Sequence, residues 1–283
     1  MRISVVIPAY NEEAVIGDTV RNVRGVLPEA ELIVVDDGSD DGTAQKAEKA
    51  GACVVRHPYN KGNGAAVRTG LLAATGDIVM MMDGDGQHDA EDIPKFLKLF
   101  PEYDMVVGAR SSESQAGWFR NLGNCLYNSL ASYMTNFKIE DLTSGFRAFK
   151  RERILPLVHL FPNGFSYPTT STLAMLKAGA NLKYIPIQAA ERVGKSKVRL
   201  LYDGSRFFLI ILKLVTLFSP MRIFLPVSLL FFTAGLAWAA YTLLHGAFTN
   251  MAVLLLIMGS LVFLLGLIAE MLASLYTQGR GEG

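Results

Sequence analysis

The chain has 283 residues, enough for one large domain or two ordinary ones. Its 27 basic and 26 acidic side chains leave a formal net charge of +1, which excludes a global electrostatic attraction to nucleic acid. The charge is unevenly placed: between Ile223 and Gly279 only Glu270 is formally charged, so a soluble part is followed by a membrane part.

The first half alternates strand and helix signals. "ISVVI" (residues 3–7) is a β-rich apolar run closed by Pro8; it is too short for a signal peptide and lacks a cleavage pattern, so none is expected. Asn11 is expected to cap a helix with Glu12 and Glu13 in its first turn, where carboxylates suit the helix dipole. Ile16, Val20, Val23 and Leu27 then recur at helical spacing on one face. "ELIVV" (31–35) reads as the second strand, followed by the loop "DDGSDDGT" and a helix to Ala50. "CVV" (53–55) is a short third strand, and "KGNGAAVRTGLLAA" a glycine-rich loop entering a helix. "DIVMMM" (77–82) is the fourth strand, Asp89 caps a helix to Phe100, and "DMVVGA" (104–109) is the fifth strand. This alternation of helices with continuously apolar strands predicts a parallel sheet covered on both faces. Ligands of such sheets sit outside the carboxyl ends of the strands. "PAYNEE", "DDGSDDGT" and "DGDGQ" all fall there.

From about Trp118 the pattern becomes more helical, with apolar residues at helical spacing in "NLGNCLYNSLASYMTN". "DLTSGFRAFKRE" returns to loop and short strand, residues 171–178 suggest a helix, and "LKYIPI" (182–187) another strand. Residues 203–218 read either as an amphipathic helix on a membrane surface, with Arg206 and Lys213 reaching headgroups, or as the start of the first span. The apolar runs Ile223 to Leu244 and Met251 to Ala269 can each cross a hydrocarbon core of about 30 Å at about 1.5 Å per residue. A buried hairpin in a soluble core is the competing reading, and "LLLIMGSLVFLLGLIA" argues against it by having no polar face. The connector "HGAFTN" lacks Lys and Arg, whereas Arg199, Arg206, Lys213 and Arg222 precede the first span and Arg280 follows the second. The positive-inside rule therefore predicts a two-span cell-membrane protein with the charge-rich part and both termini in the cytoplasm and the connector outside. Cys53 and Cys125 have no metal-ligand or redox spacing and are expected to be reduced, ordinary residues.

The chemistry concentrates in "MMMDGDGQHDAED", where an apolar strand ends in several carboxylates. Asp-x-Asp is by itself a common turn, but Asp83 and Asp85 stand where the ligand crevice is expected. Their hard oxygens suit Mg²⁺ or Mn²⁺, a substrate diphosphate completing the shell, and Gln87 offers a neutral oxygen. His88 is expected to be a structural or hydrogen-bonding residue. "VVDDGSDDGT" looks like a Rossmann acidic strand end, but no GxGxxG follows the first strand, so a dinucleotide dehydrogenase is excluded. "KGNGAAVRTG" lacks the Walker pattern; it either offers Gly64 N–H and Arg68 to phosphate or is simply a tight turn before a helix.

Together "VVIPAYNEE", "VVDDGSDDGT", "KGNGAAVRTG", "DGDGQ", "DLTSGFRAF" and "ERVGKSK" occur in the order and approximate spacing of inverting glycosyltransferases with the GT-A fold. Within these the chain resembles the polyprenol-phosphate glycosyltransferases, the group containing dolichol-phosphate mannose synthase, over residues 3 to about 200. The resemblance implies an α/β, Rossmann-like GT-A domain (1–200), a juxtamembrane segment (201–221) and two transmembrane helices (222–276). It implies that Pro8, Tyr10, Asn11, Glu12 and Asp37 hold the uracil or guanine and the ribose, with Gly64, Arg68, Asp83, Gly84 and Lys197 also on the donor. Asp83, Asp85 and Gln87 match the metal and diphosphate site. Arg110, Arg120, Ser144, Arg147 and Ser196 match positions around the acceptor phosphate, and Asp85, Asp141 and Arg192 are the residues expected to carry catalysis. Many members have an acidic residue soon after the Tyr of "GFSYPTTSTLAML"; here Pro168, Thr169 and Thr170 follow Tyr167, so mannose or glucose is not carried over directly.

The implied reaction transfers a hexose or N-acetylhexosamine from a nucleotide diphosphate sugar, UDP-linked, to a membrane undecaprenyl or dolichyl phosphate with inversion. A phosphate monoester has its second pKa near 6, so the acceptor is already largely dianionic at neutral pH. Leaving-group stabilisation is then the larger task, and Asp141 is expected to orient arginines rather than to act as a base. No nucleic acid partner is expected, and a homo-oligomer is compatible with these features without being required by them. A processive polysaccharide synthase would carry Gln-x-x-Arg-Trp, and neither Trp118 nor Trp238 sits in one. A non-catalytic membrane scaffold on the same fold would be expected to have lost the metal-site carboxylates, which are intact.

Overall fold

The apolar runs form strands β1 (Ile3–Ala9), β2 (Glu31–Asp36), β3 (Cys53–Arg56), β4 (Ile78–Met81), β5 (Met105–Arg110), β6 (Arg147–Lys150) and β7 (Leu182–Ile187) in a computed structural model. The structure describes residues 1–110, 127–133, 135–164, 167–188, 219–246 and 249–278. The strands make one sheet in the order β3-β2-β1-β4-β6-β5-β7. The expected all-parallel sheet is corrected here. Six strands run the same way, but β6 is inserted between β4 and β5 and runs antiparallel to both. Its first residue, Arg147, pairs with Met81 at the end of β4, so the turn leading into β6 opens at the same pole as the carboxyl ends of the other strands.

Helices α1 (Ile16–Val26), α2 (Thr43–Lys49), α3 (Asn63–Ala73), α4 (Ile93–Leu97) and α5 (Tyr167–Lys177) accompany the sheet. The face read from spacing is buried: Ile16, Val20 and Val23 join Val5, Ile7, Met80, Met82 and Phe96 in one apolar core, with Leu27 packed at its margin. Each such side chain contributes about 1.5–3 kcal/mol of burial, and this term holds the sheet and its helices together. The expected Asn11 cap is corrected. The helix begins at Ile16 without a side-chain cap, and Asn11, at φ 54°, turns its amide to another loop. Asp89 does cap, accepting from Glu91 N–H at 3.0 Å, but only a 3₁₀ turn and the short α4 follow, ending before Phe100.

The chain divides into two compact units, Met1–Arg199 and Leu200–Gly283. In the second, α6 (Met221–Leu244) and α7 (Asn250–Gln278) pack as a hairpin, both long and apolar enough to cross a membrane. Most of their surface is exposed leucine, isoleucine and aromatic side chain, which suits lipid and not the core of a soluble protein. The reading of 203–218 as a surface helix or as the start of a span lies outside the described residues.

Candidate functional site

At the carboxyl ends of β1 and β2, two loops are stitched together through one another's main chain. Asn11 N–H donates to Ser39 Oγ and Glu12 N–H to Thr43 Oγ1, both at 2.9 Å, while Asp40 N–H donates to Asn11 Oδ1 at 3.0 Å. Glu13 accepts from Gly42 N–H. These bonds satisfy loop donors that no ladder reaches and pre-form the walls of a crevice. Pro8 is the penultimate residue of β1, paired with Val35, and its carbonyl sits against Gly84. Tyr10 is half-buried at the rim.

Asp83 and Asp85 leave β4 across that end of β1. Met82 N–H is bonded to Val6 O, so the two carboxylates start from a fixed strand end. Asp83 is one-third exposed and Asp85 is buried, its Oδ1 accepting from Gln87 N–H at 3.2 Å. His88 stacks on Phe146, its Nδ1 faces Asp83 N–H at 3.3 Å, and its Nε2 lies 4.0 Å from Asp83 Oδ2. Of the three remaining acids of the run, Asp89 is the cap and Asp92 the partner of Lys95.

Opposite them, Arg110 at the end of β5 is clamped by Asp141. Nε and Nη2 donate to the two carboxylate oxygens at 2.8 and 3.1 Å, and Nη2 also reaches Thr143 Oγ1 at 2.6 Å. Asp141 Oδ1 further accepts the N–H groups of Thr143 and Ser144. Burial alone would raise the Asp141 carboxyl, but the Arg110 hydrogen bonds and charge, with the main-chain N–H groups of Thr143 and Arg110, hold it below the ordinary carboxylate range. Burial likewise opposes the charge on Arg110, yet Asp141 outweighs it, with Asp83 and Asp85 adding to the effect, and the guanidinium stays charged. An arginine fixed by one carboxylate and electrostatically coupled to two more marks the place where anionic oxygens can be held. A carboxylate this acidic is a poor proton acceptor and a good orienting group.

The structure thus brings Asp83, Gly84, Asp85, Gln87, Arg110, Asp141 and Ser144 to one pole of the sheet. Other expected residues are placed differently. Asp37 is buried, accepting from Lys61 and Gly62 N–H groups and pairing with His57 Nδ1 at 2.7 Å, so its carboxylate secures the glycine-rich loop. Gly64 N–H donates to Gly164 O, and Arg68 reaches Asn163 Oδ1 at 3.0 Å. Of the two readings of "KGNGAAVRTG", this geometry is that of a packed turn into α3. Arg147 is wholly buried, bonded to the Ser144 and Pro168 carbonyls and to the Ser171 and Thr172 hydroxyls. Arg120, Arg192, Ser196 and Lys197 lie outside the described residues. Sequence reasoning missed Thr143, Gly145, His57 and the buried Tyr167 and Tyr184. Thr143 and Gly145 stood inside a quoted motif, whereas nothing local signals a partner for the others.

The donor set fits a hard divalent cation in one particular way. Among the described residues no group of three or more His, Cys, Asp or Glu side chains is placed to hold a metal. Two carboxylates two residues apart leave room in a coordination shell for further oxygens, such as those of a diphosphate. Asp83 lies against Gly145, where a Cβ would come 2.6 Å from its Cγ, so the position of this carboxylate is defined by the wall behind it.

Comparison with known proteins bears on the family and the fold. Residues 4–154 match the profile described as glycosyl transferase family 2, and residues 219–275 match that of the GtrB C-terminal hairpin. The chain is similar to a dolichyl-phosphate hexose transferase of Haloferax volcanii, 33% identical over 69% of this chain and 86% of the relative. It is also similar to an undecaprenyl-phosphate 4-deoxy-4-formamido-L-arabinose transferase of Proteus mirabilis, 28% identical over 99% of this chain and 91% of the relative. Among solved structures, glucosyl-3-phosphoglycerate synthase from Mycobacterium tuberculosis in complex with Mn²⁺ and UDP-glucose superposes with a TM-score of 0.59. It is 25% identical, over 75% of this chain and 77% of that one.

Proposed function

This chain belongs to glycosyl transferase family 2, and from that membership we propose that it transfers a hexose or N-acetylhexosamine from a UDP-linked donor to a membrane polyprenyl phosphate, with inversion. The observation that carries the proposal is the convergence of Asp83 and Asp85 with the Asp141-clamped Arg110 at the strand ends of a chain that also bears a two-span hairpin. The relatives named for undecaprenyl and dolichyl phosphate support the acceptor class. The solved relative with Mn²⁺ and UDP-glucose supports a uridine nucleotide and a divalent cation.

In this reading Asp83 and Asp85, with Gln87 beside them, hold the cation. When bound, it supplies neutralisation of the departing nucleotide diphosphate and turns a site of negative charge into one that accepts an anion. The paired loops after β1 and β2, with Pro8, Tyr10, Asn11 and Glu12, hold the nucleoside, while Asp37 fixes the glycine-rich loop beside them. Arg110 faces the phosphates, its guanidinium already aligned by Asp141, so little reorganisation is needed when charge shifts. The Ser144 hydroxyl is buried without a hydrogen-bond partner among the described residues and can donate to a phosphate oxygen. The acceptor phosphate, largely dianionic at neutral pH, attacks the anomeric carbon from the face opposite the leaving diphosphate without a strong base. Arg192, Ser196, Lys197 and Arg120 complete the proposed phosphate-binding set. Both termini and the catalytic unit face the cytoplasm, where nucleotide sugars are supplied.

The decisive test is the detergent-purified protein with a panel of nucleotide sugars and undecaprenyl phosphate, the lipid product being identified by mass and its anomeric configuration by NMR. A glycosylated lipid phosphate from UDP-glucose or UDP-N-acetylglucosamine, ahead of GDP-mannose, is expected. Preferential use of GDP-mannose overturns the donor assignment, and no lipid product from any donor overturns the acceptor assignment.

A further inference from the structure

Arg147 is the largest side chain wholly removed from solvent, and among the described residues no carboxylate pairs with it within 4.0 Å. Burial holds its guanidinium below the usual arginine range, an effect that Tyr167, Tyr184, Asp141 and Asp83 oppose only in part. An unpaired cation in a protein interior is costly, and apolar side chains fill such space more cheaply. What it does there is visible in its bonds. Nε donates to Ser144 O at 2.9 Å, and Nη2 reaches the same carbonyl. Nη1 donates to Pro168 O, Ser171 Oγ and Thr172 Oγ1, at the start of α5.

The next carbonyl is held in the same way. Tyr167 is buried, and its phenol donates to Gly145 O at 3.1 Å. Burial, and then the Asp83 charge, push this phenol up, so its proton stays in place as a donor. Two successive peptide carbonyls, 144 and 145, are thus pulled inward by an arginine and a tyrosine. Against Gly145 lies the Asp83 carboxylate, close enough that a side chain on residue 145 would displace it. The near end of the turn is tied to Asp141, which accepts from Ser144 N–H at 3.1 Å.

We propose that Arg147 and Tyr167 are positioning residues that act through the Ser144–Gly145 backbone to fix the Asp83 carboxylate for the cation. The proposal rests on the metal-site reading above and deepens it. It gives Arg147 a role that needs no contact with a phosphate. The hydroxyl-rich run Pro168–Thr172 then supplies neutral acceptors for Arg147, and α5 becomes the fixed abutment from which Asp83 is held.

The test uses the full-length protein in detergent, with Mn²⁺ as the probe, titrated alone and with UDP and read from the free-ion EPR signal. Folding is followed by thermal melting. Gly145→Ala places one methyl group in the wall, and Tyr167→Phe removes only the hydroxyl. Each is expected to fold and to weaken Mn²⁺ by about tenfold, the effect of losing an outer-shell support, with UDP binding in chelator unchanged. Arg147→Lys keeps the charge but not the fork, and should weaken Mn²⁺ similarly. In the Asp83→Ala background the Gly145→Ala change should add nothing, because the group it displaces is gone. Parental Mn²⁺ affinity in Gly145→Ala and Tyr167→Phe, with Asp83→Ala defective, overturns the positioning role and leaves the metal site standing. Parental affinity in Asp83→Ala itself overturns both.

Discussion

At the scale of single residues, the site is a contrast between two carboxylates that stay near the crevice and one that is committed to an arginine. In the proposed metal reading Asp85→Ala should abolish transfer while the fold survives, because the alanine removes a cation ligand at the cost of a local loop hydrogen bond from Gln87 N–H. Turnover by this variant at the parental rate in the presence of chelator would contradict the metal reading. Asp141 makes a prediction about pH. Its pKa in the folded protein lies below its unfolded value, so the stability it provides is fully present above the ordinary aspartate range and is lost as pH falls through the lowered folded value. Asp141→Asn should therefore cost about 2–3 kcal/mol near neutrality, the range for breaking a mostly buried pair discounted for the partial exposure of Arg110. The gap between parent and variant melting temperatures should narrow as pH falls below the ordinary aspartate range; a gap that does not change with pH would mean that shape, and not charge, is what Asp141 contributes. The Asp83 and Asp85 pair was legible in the sequence because strand ends of an α/β sheet face ligands. The interior positions of Arg147 and Asp37 were not, because their partners are fixed only by tertiary packing. Arg147 meets the start of α5 some twenty residues later, and Asp37 meets main-chain N–H groups of a loop that "KGNG" shows only as a turn.

At the scale of elements, every strand in the first half was legible because continuous apolar runs between turn residues leave little choice. The direction of β6 was not. "RAFK" is four residues long, and its reversal depends on where the preceding segment returns the chain, which no local periodicity records. That reversal has a functional result, since it delivers the Asp141–Gly145 turn to the pole where Asp83 waits. The hairpin holds a pattern that apolar length alone conceals. Ser228, Gly235 and Thr242 on α6, and Ala252, Gly259, Gly266 and Ala273 on α7, recur every seven residues and are the buried positions of an otherwise exposed pair. A strict seven-residue repeat is the signature of helices that supercoil left-handedly, and small side chains let the backbones approach. A Cβ at Gly266 would lie 2.6 Å from Phe224 Cβ, and one at Gly259 would lie 3.2 Å from Ser228 O. Gly266→Leu should therefore force the helices apart at a cost of about 1–3 kcal/mol, typical of overpacking. The measurement is oxidative cross-linking of Ser228→Cys with Gly259→Cys, in a background without Cys53 and Cys125. Cross-linking should be efficient in the parent and much reduced with Gly266→Leu; equal yields would show that the seam is looser than its spacing implies.

At the scale of the whole molecule, charge and apolar surface are segregated along the chain, and the reaction we propose needs that segregation. The donor is water-soluble, whereas a polyprenyl phosphate keeps its tail in the bilayer and shows only its head at the headgroup plane. The segment "RVGKSKVRLLYDGSR" joins the catalytic unit to the hairpin in sequence, which ties its basic residues to the membrane surface. Each exposed basic residue contributes roughly 1 kcal/mol near an anionic surface. Three of them, Arg192, Lys197 and Arg199, can concentrate an anionic lipid head, or can serve only to keep this end of the hairpin in the cytoplasm. The two roles separate in measurement. If the residues bind the acceptor, Arg192→Ala and Lys197→Ala should lower transfer to undecaprenyl phosphate by tenfold or more, the loss expected when a charge-assisted contact to a phosphate is removed. Membrane insertion and UDP binding should remain parental. Arg199→Gln should act more weakly and mainly on the apparent acceptor affinity, since about 1 kcal/mol of surface attraction corresponds to a roughly fivefold change. Its effect should also shrink as salt is raised, because exposed charges are screened beyond about 8 Å at physiological ionic strength. A pure topology role gives the opposite pattern: inserted protein falls, and every correctly inserted molecule works at the parental rate. Arg192→Ala and Lys197→Ala proteins that insert normally and transfer sugar as the parent does would remove these residues from the acceptor site, and the lipid phosphate would then fall to the rest of the proposed set, Arg110, Arg120, Ser144 and Ser196.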